Sequence, residues 1–454
     1  MKSSSLQLTG LSLAEATRGL EAGEFSAREL VEASLERISA LQPRLNCFIA
    51  ILAERARIEA DAADRRRAKG ERRGPLDGIP VAVKDNIDVA GAPATAGMAV
   101  RKERVPEADA FCVARLREAG AVILAKANLH EAALGATNDN PHFGRCFNPH
   151  GQYKTPGGSS GGSTVAVAAN LVQAALGTDT IGSIRIPASY CGVVGLKPTY
   201  GLISTGGVCY ASWRMDHVGP MARTVGDIGI LLPLLAGYDA SCPESRRPPQ
   251  VDDRAGLAGL RLGVLKNYEK TGVAAAVGES FARAVDLFSR LGCRLSTVSI
   301  PDFEPAYARR CGLLMVESDA AIVHEGVLAE RPEMLSSETR AMLAFAHSAS
   351  AAKLAKAERV VALAAAAAQR LFDEVDAVIS PATPQTAFSF DEPVPDNQGD
   401  FTALANFAGC PAISVPMGVD AEGMPMGLQL MGPAWSERRL LEIARAFETA
   451  STKK

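Results

Sequence analysis

Two glycine- and serine-rich stretches, Gly157-Gly158-Ser159-Ser160-Gly161-Gly162-Ser163 and Asp179-Thr180-Ile181-Gly182-Ser183-Ile184-Arg185-Ile186-Pro187, stand one short apolar segment apart, with Val83-Lys84-Asp85-Asn86 upstream of both. Serine hydroxyls and one lysine suffice to cleave an amide: a hydroxyl attacks the carbonyl, a base takes its proton, and water releases the acyl group. Taken alone, Gly-Gly-Ser-Ser-Gly-Gly is equally the composition of a flexible linker. Its context argues otherwise. It runs into segment 164–176, filled with Ala, Val and Leu and read as a buried helix, and then into a second turn closing on Arg-Ile-Pro.

Both stretches, together with Gly192-Val193-Val194-Gly195-Leu196-Lys197-Pro198-Thr199, resemble the signature of the amidase signature family. Gly78-Ile79-Pro80-Val81-Ala82-Val83-Lys84-Asp85-Asn86, Gly409-Cys410-Pro411-Ala412-Ile413-Ser414-Val415-Pro416 and Gly427-Leu428-Gln429-Leu430 extend the resemblance over residues 76–448. It implies a Ser-cisSer-Lys catalytic group: Ser183 as nucleophile, Ser159 as proton relay after a cis Gly158–Ser159 bond, and Lys84 as general base. It also implies a mixed β-sheet between helical layers, an α/β fold, and no cofactor or metal.

The chemistry agrees with those residue types. A serine hydroxyl needs a base, and none of the six histidines lies in a Gly-x-Ser-x-Gly context. A lysine serves near neutral pH only if burial or a neighbouring cation lowers its pKa by roughly 3 units from about 10.4. Lys84 ends the apolar run Ile79-Pro80-Val81-Ala82-Val83, which reads as a buried strand. Backbone N–H groups of Thr180, Ile181, Gly182 and Ser183 are the expected oxyanion donors. Ile181 departs from the family, where glycine is usual. A β-branched residue there implies ordinary dihedrals or strain, and a side chain that reshapes the substrate pocket. Asp179 and Arg185 are expected to brace this turn, and Ser160 and Ser163 to make structural hydrogen bonds.

The resemblance implies hydrolysis of a linear carboxamide, with aryl amides and carbamates sharing the same carbonyl problem. Its main alternative is the glutaminase component of a tRNA-dependent amidotransferase, which needs partner subunits. Against that component stands His217 in Arg214-Met215-Asp216-His217-Val218-Gly219-Pro220, where it usually has Gln. A third reading is a non-catalytic scaffold retaining the fold. Segment 204–219, with Cys209, Tyr210 and Trp213, is either a pocket wall or an anchor of its own loop.

The elements that must position these groups read as alternating strands and helices. Segments 12–41, 51–69, 278–291 and 350–373 read as helices, and Ala121-Val122-Ile123-Leu124, Leu262-Gly263-Val264-Leu265 and Ala377-Val378-Ile379-Ser380 as strands. Residues 1–70 are expected to be helices packed on an amidase domain, 71–454, as one structural unit. Segments 243–256 and 388–400 read as surface connections. At 454 residues and 47% hydrophobic the chain can bury a large core. A net charge of −3 gives no electrostatic case for nucleic acid. Nine cysteines without a Cys-x-x-Cys pair suggest neither a disulfide framework nor a zinc site. The amino terminus lacks a signal-peptide core and no stretch is long enough to span a bilayer, so a cytoplasmic enzyme of a small-molecule amide is expected, without nucleic-acid or membrane partner. The oligomeric state is left open, a homodimer included.

Overall fold

The computed structural model describes residues 5–249, 256–257 and 259–452. In chain order the strands are β1 (Phe48–Ile51), β2 (Pro80–Lys84), β3 (Val122–Ala127), β4 (Ala174–Asp179), β5 (Val194–Lys197), β6 (His217–Ala222), β7 (Arg261–Leu265), β8 (Arg294–Val298), β9 (Ala377–Pro381), β10 (Ala412–Val419) and β11 (Pro425–Met431). They form one mixed sheet in the order β1-β3-β2-β4-β6-β5-β10-β11-β9-β7-β8. Parallel pairs β3-β2-β4 and β9-β7-β8 flank an antiparallel centre. The inner strands β2 to β6 and β11 are buried throughout, as continuous apolar runs covered on both faces require. The N-terminal helices share this core, with Leu30, Val31, Ala56 and Ala60 in one cluster with Val81 and Val83.

Several elements depart from the sequence reading. Segment 12–41 is two helices, Leu13–Ala22 and Ala27–Leu45, because Gly23 takes a left-handed φ of 70°. Capping boxes, Ser12 with Glu15 and Ser26 with Glu29, start both. Residue 51 closes β1, and the next helix is Ala53–Ala68. Segment 164–176 is not one helix: Gly161–Ala168 is helical, Asn170 turns the chain at φ 57°, and from Ala174 the chain pairs with β2 and β6. Ladder pairing on both edges overrides the helix preference of Ala and Leu there. Helices Ala275–Arg290 and Ala351–Glu374 match their expected positions within a few residues.

Segment 388–400 is no mere surface connection, since Phe388, Gln398 and Asp400 are buried. Of segment 243–256, residues 250–255 lie outside the described residues, as do residues 1–4 of the amino terminus. The arginines at the end of the helix Ala53–Ala68 and just beyond it are held by acids: Arg66 pairs with Asp77, Arg67 with Asp64 and, past the helix, Arg72 with Glu21. Among the described residues no helix is long and apolar enough to cross a membrane, and no group of three or more His, Cys, Asp or Glu side chains could hold a metal ion.

Candidate active site

Lys84 is the last residue of β2, and its neighbour Val83 is registered against Leu176 of β4. Adjacent strands thus bring the amine beside Thr178, with Nζ 2.7 Å from Thr178 Oγ1 and 2.7 Å from Ser159 Oγ. Asn86 Nδ2 also donates to Thr178 Oγ1, at 3.2 Å. Lys84, Ser159 and Thr178 are all buried. Burial, partly opposed by the charges of Asp216 and Asp179, brings the Lys84 pKa down to about 7. The amine is therefore substantially neutral near neutral pH, with a lone pair for the Ser159 hydroxyl.

The Gly158–Ser159 peptide bond is cis. Gly158 has no room for a side chain, since a Cβ would lie 2.9 Å from both Gly135 O and Thr137 N. The two serine stretches are tied to each other: Ser160 N donates to Ser183 O at 3.2 Å and Ser160 Oγ to Thr178 O at 2.9 Å. Ser163 Oγ donates to Leu176 O at 2.9 Å. Both hydroxyls are engaged with the backbone of β4.

The turn after β4 is clamped from behind. Asp179 receives Arg185 through two hydrogen bonds of 2.9 and 3.0 Å and Ile184 N at 3.1 Å. Arg185 continues to Thr402 O and Gln429 Oε1, and Asn406 Nδ2 donates to Asp179 Oδ1. Both members of the pair are fully buried, and the Arg185 charge keeps the Asp179 carboxyl well below its ordinary range against the opposing effect of burial. Thr180 Oγ1 donates to Asp216 Oδ1 at 2.6 Å and Thr402 Oγ1 to Ile181 O at 2.6 Å. Asp216 is pushed up to about 6 by its burial. Asp179→Asn would leave the Arg185 cation without its partner, and the protein is expected to lose about 3–5 kcal/mol of stability, read as a shift of the denaturant midpoint.

The positive φ that a β-branched residue could not take without strain falls on its glycine neighbour. Ile181 keeps a negative φ, whereas Gly182 has φ 150° and a Cβ there would collide with Thr402 Oγ1. Among the described residues, nothing accepts from the N–H groups of Ile181, Gly182 and Ser183. Ser183 is half-buried and opens on a cavity of about 230 Å³, also lined by Thr180, Ile181 and Gly182. Arg309, Glu317, Glu338 and Asp396 supply its charges, from helices Pro305–Val323 and Ser337–His347 and from segment 388–400.

Ile181 alone of the four expected pocket residues lines this cavity. Cys209, Tyr210 and Trp213 lie outside it. Cys209 brackets Asn86 through backbone bonds, the Tyr210 hydroxyl meets Thr205 and Glu244, and the Trp213 carbonyl accepts from Tyr200. The Tyr210 side chain thus anchors its own loop, and Trp213 is held through its main chain. His217 is buried in β6, with Nδ1 2.7 Å from Met215 O. Thr178, Asn86, Asp216 and Gln429 stand inside or beside the sequence motifs, yet only the folded geometry gives them roles. Arg309, Glu317 and Glu338 lie on helices whose sequences carry no chemical signal.

The family model for Amidase matches residues 29–441. In Anaeromyxobacter dehalogenans, the A component of the glutamyl-tRNA(Gln) amidotransferase is 40% identical, over 99% of this chain and 98% of that protein. A solved protein from a vestigial complex connected with the origins of an s-triazine catabolic enzyme has a TM-score of 0.91 and 33% identity, covering 97% of this chain and 98% of that one. The native peptide amidase of Stenotrophomonas maltophilia gives 0.84 and 33%, covering 98% and 97%.

Proposed function

Because the chain belongs to the amidase family, we propose that it hydrolyses a carboxamide through an acyl-enzyme on Ser183, and that the amide is glutamine's. The observation that carries the chemistry is the buried Lys84 amine, with a pKa of about 7, at 2.7 Å from Ser159 Oγ. Ser183 Oγ, which shares no hydrogen bond with Ser159 among the described residues, turns onto it as it attacks the carbonyl carbon; its proton then passes to Ser159 as the Ser159 proton passes to Lys84. The N–H groups of Ile181, Gly182 and Ser183 receive the oxyanion. The returning proton goes to the amide nitrogen, the C–N bond breaks and ammonia leaves. Water, deprotonated by the same relay, then frees the carboxylate from Ser183.

The cavity supports a small, charged acyl group. Its volume is below the roughly 300 Å³ at which pockets for drug-sized ligands begin. Arg309 gives its Nε to Asp400, which leaves the terminal nitrogens of its fork for an α-carboxylate. Glu317, Glu338 and Asp396 can receive an α-ammonium. The relatives' name extends the reading to the glutaminase component of a glutamyl-tRNA(Gln) amidotransferase, working with partner subunits.

A second reading, a self-sufficient amidase of small linear amides or carbamates, draws on Ile181, which stands in the cavity wall at the expected place of a glycine. His217 carries less weight for it, being bonded to the backbone of its own strand region. The test is ammonia release from glutamine, propionamide, anilides and carbamates by the purified chain, alone and with partner subunits. Glutamine turnover supports the first reading; turnover of neutral amides by the chain alone, with glutamine refused, replaces it by the second. Arg309→Lys keeps the charge facing Asp400 but loses the fork. It is expected to raise KM for glutamine about tenfold and to leave neutral amides nearly unchanged.

A further inference from the structure

The Ile181 side chain occupies a notch made by two residues that lack one. A Cβ on Gly312, in the helix Pro305–Val323, would collide with the Phe407 ring, which shares this side of the notch, and would come within 3.4 Å of Ile181 Cδ1. A Cβ on Gly399 would come within 3.2 Å of Ile181 Cγ2. Each branch of the isoleucine therefore abuts a glycine across the wall of the Ser183 cavity, and the side chain packs on the apolar cluster that contains Leu314, Met315 and Val316. The backbone at 181 is held separately, by Thr402 Oγ1 on its carbonyl. Side chain and loop position are thus separable: shortening the side chain empties the notch without releasing the main chain that carries the oxyanion donors.

We infer that Ile181 is the specificity-determining residue that limits acyl length, by closing a notch between Gly312 and Gly399 that would otherwise prolong the acyl cavity. The inference rests on the reading that Ser183 carries the acyl group. A primary amide loses only ammonia, so what the cavity must house is the group that stays on the serine. Loss of a few methylene contacts changes selectivity about tenfold to a hundredfold.

The experiment uses p-nitrophenyl acetate and p-nitrophenyl hexanoate with the wild-type chain, Ile181→Ala and the double variant Ile181→Ala/Gly399→Ala. The hexanoate-to-acetate ratio of kcat/KM is expected to rise about tenfold to a hundredfold in Ile181→Ala. It should fall back in the double variant, because a methyl on Gly399 points into the space that Cγ2 vacated. Should the alanine variant not fold, Ile181→Val removes only the Cδ1 that faces Gly312, and a rise of about threefold to fivefold is expected. An unchanged ratio in a folded variant, or one that Gly399→Ala does not reverse, overturns the proposal. Peptide mapping of the acetyl label separates the two premises. Label on Ser183 with an unchanged ratio removes the role of Ile181 alone, whereas label elsewhere overturns the acyl-enzyme as well.

Discussion

Ser183→Ala is expected to fold as the wild type does and to turn over its amide roughly 10⁴- to 10⁶-fold more slowly. Its hydroxyl has no hydrogen-bond partner among the described residues, and its backbone is fixed through Ser160 N and the Asp179–Arg185 clamp, none of which the substitution touches. The thermal midpoint should therefore stay within about two degrees, as for a surface change with no named structural loss. Steady-state ammonia release with matched far-UV spectra checks both halves. A variant within tenfold of wild type would remove Ser183 as nucleophile, and no activity even in the wild type towards any amide would favour a scaffold that kept the fold.

Why the serine proposed as nucleophile is legible in the sequence while the cavity beside it is not is a matter of where each constraint acts. The serine stretches, the Val-Lys end of β2 and the Asp-Thr turn are local patterns: glycine is needed where Gly182 has φ 150° and touches Thr402, and Ala, Val and Leu are needed where β2 and β4 are covered on both faces. Such demands leave marks on neighbouring residues. The cavity is assembled from helix Pro305–Val323, helix Ser337–His347 and segment 388–400, hundreds of residues from Lys84 in the chain, and each contributes one or two charged side chains. Arg309 reads in sequence as any helix arginine does. The aromatic loop at 204–219 suggests a pocket because Tyr and Trp line apolar clefts, but Tyr210 and Tyr200 spend their hydroxyls on their own loop and its neighbours. The helix expected over 164–176 fails for the same reason: only pairing with β2 and β6 distinguishes Ala174–Asp179 from a helical continuation.

The second large effect is expected from the relay. Lys84→Ala and Ser159→Ala should each lower kcat by several orders of magnitude, and the double variant should be about as slow as the worse single one, because two groups that hand on one proton fail together. Multiplied losses would show that the amine acts on Ser183 without Ser159. The pH profile gives an independent readout. The base must be neutral, so kcat/KM should climb tenfold per unit below about pH 7 and level off above it, where the Lys84 amine has lost its proton. Stability has its own sign. Lys84 has a lower pKa folded than the roughly 10.4 of the unfolded chain, so between about pH 7 and 10 the unfolded state binds more protons and stability from this group rises with pH. Lys84→Met is expected to flatten that rise while abolishing turnover, which urea titrations at pH 7 and 9 would show.

The placement of Lys84 at the end of a doubly paired strand has a consequence for how this enzyme can change. Successive residues of β2 point to opposite faces of the sheet, and β4 holds it in unbroken register through Val81, Ala82 and Val83, whereas β3 takes up one extra residue, Leu124, opposite the step from Val81 to Ala82. One residue inserted or lost between Ile79 and Val83 would turn the amine to the far face, away from Ser159, even if the strand still formed. The chemical step thus behaves as a digital property of the backbone, present at one setting and absent at the next. Acyl selection, on the reading proposed above, depends instead on helix and loop side chains outside that ladder, where substitutions grade smoothly. Libraries aimed at new amides should therefore vary the wall around Ile181, Arg309 and Glu338 freely, while the spacing from Ile79 to Lys84 is inherited unchanged.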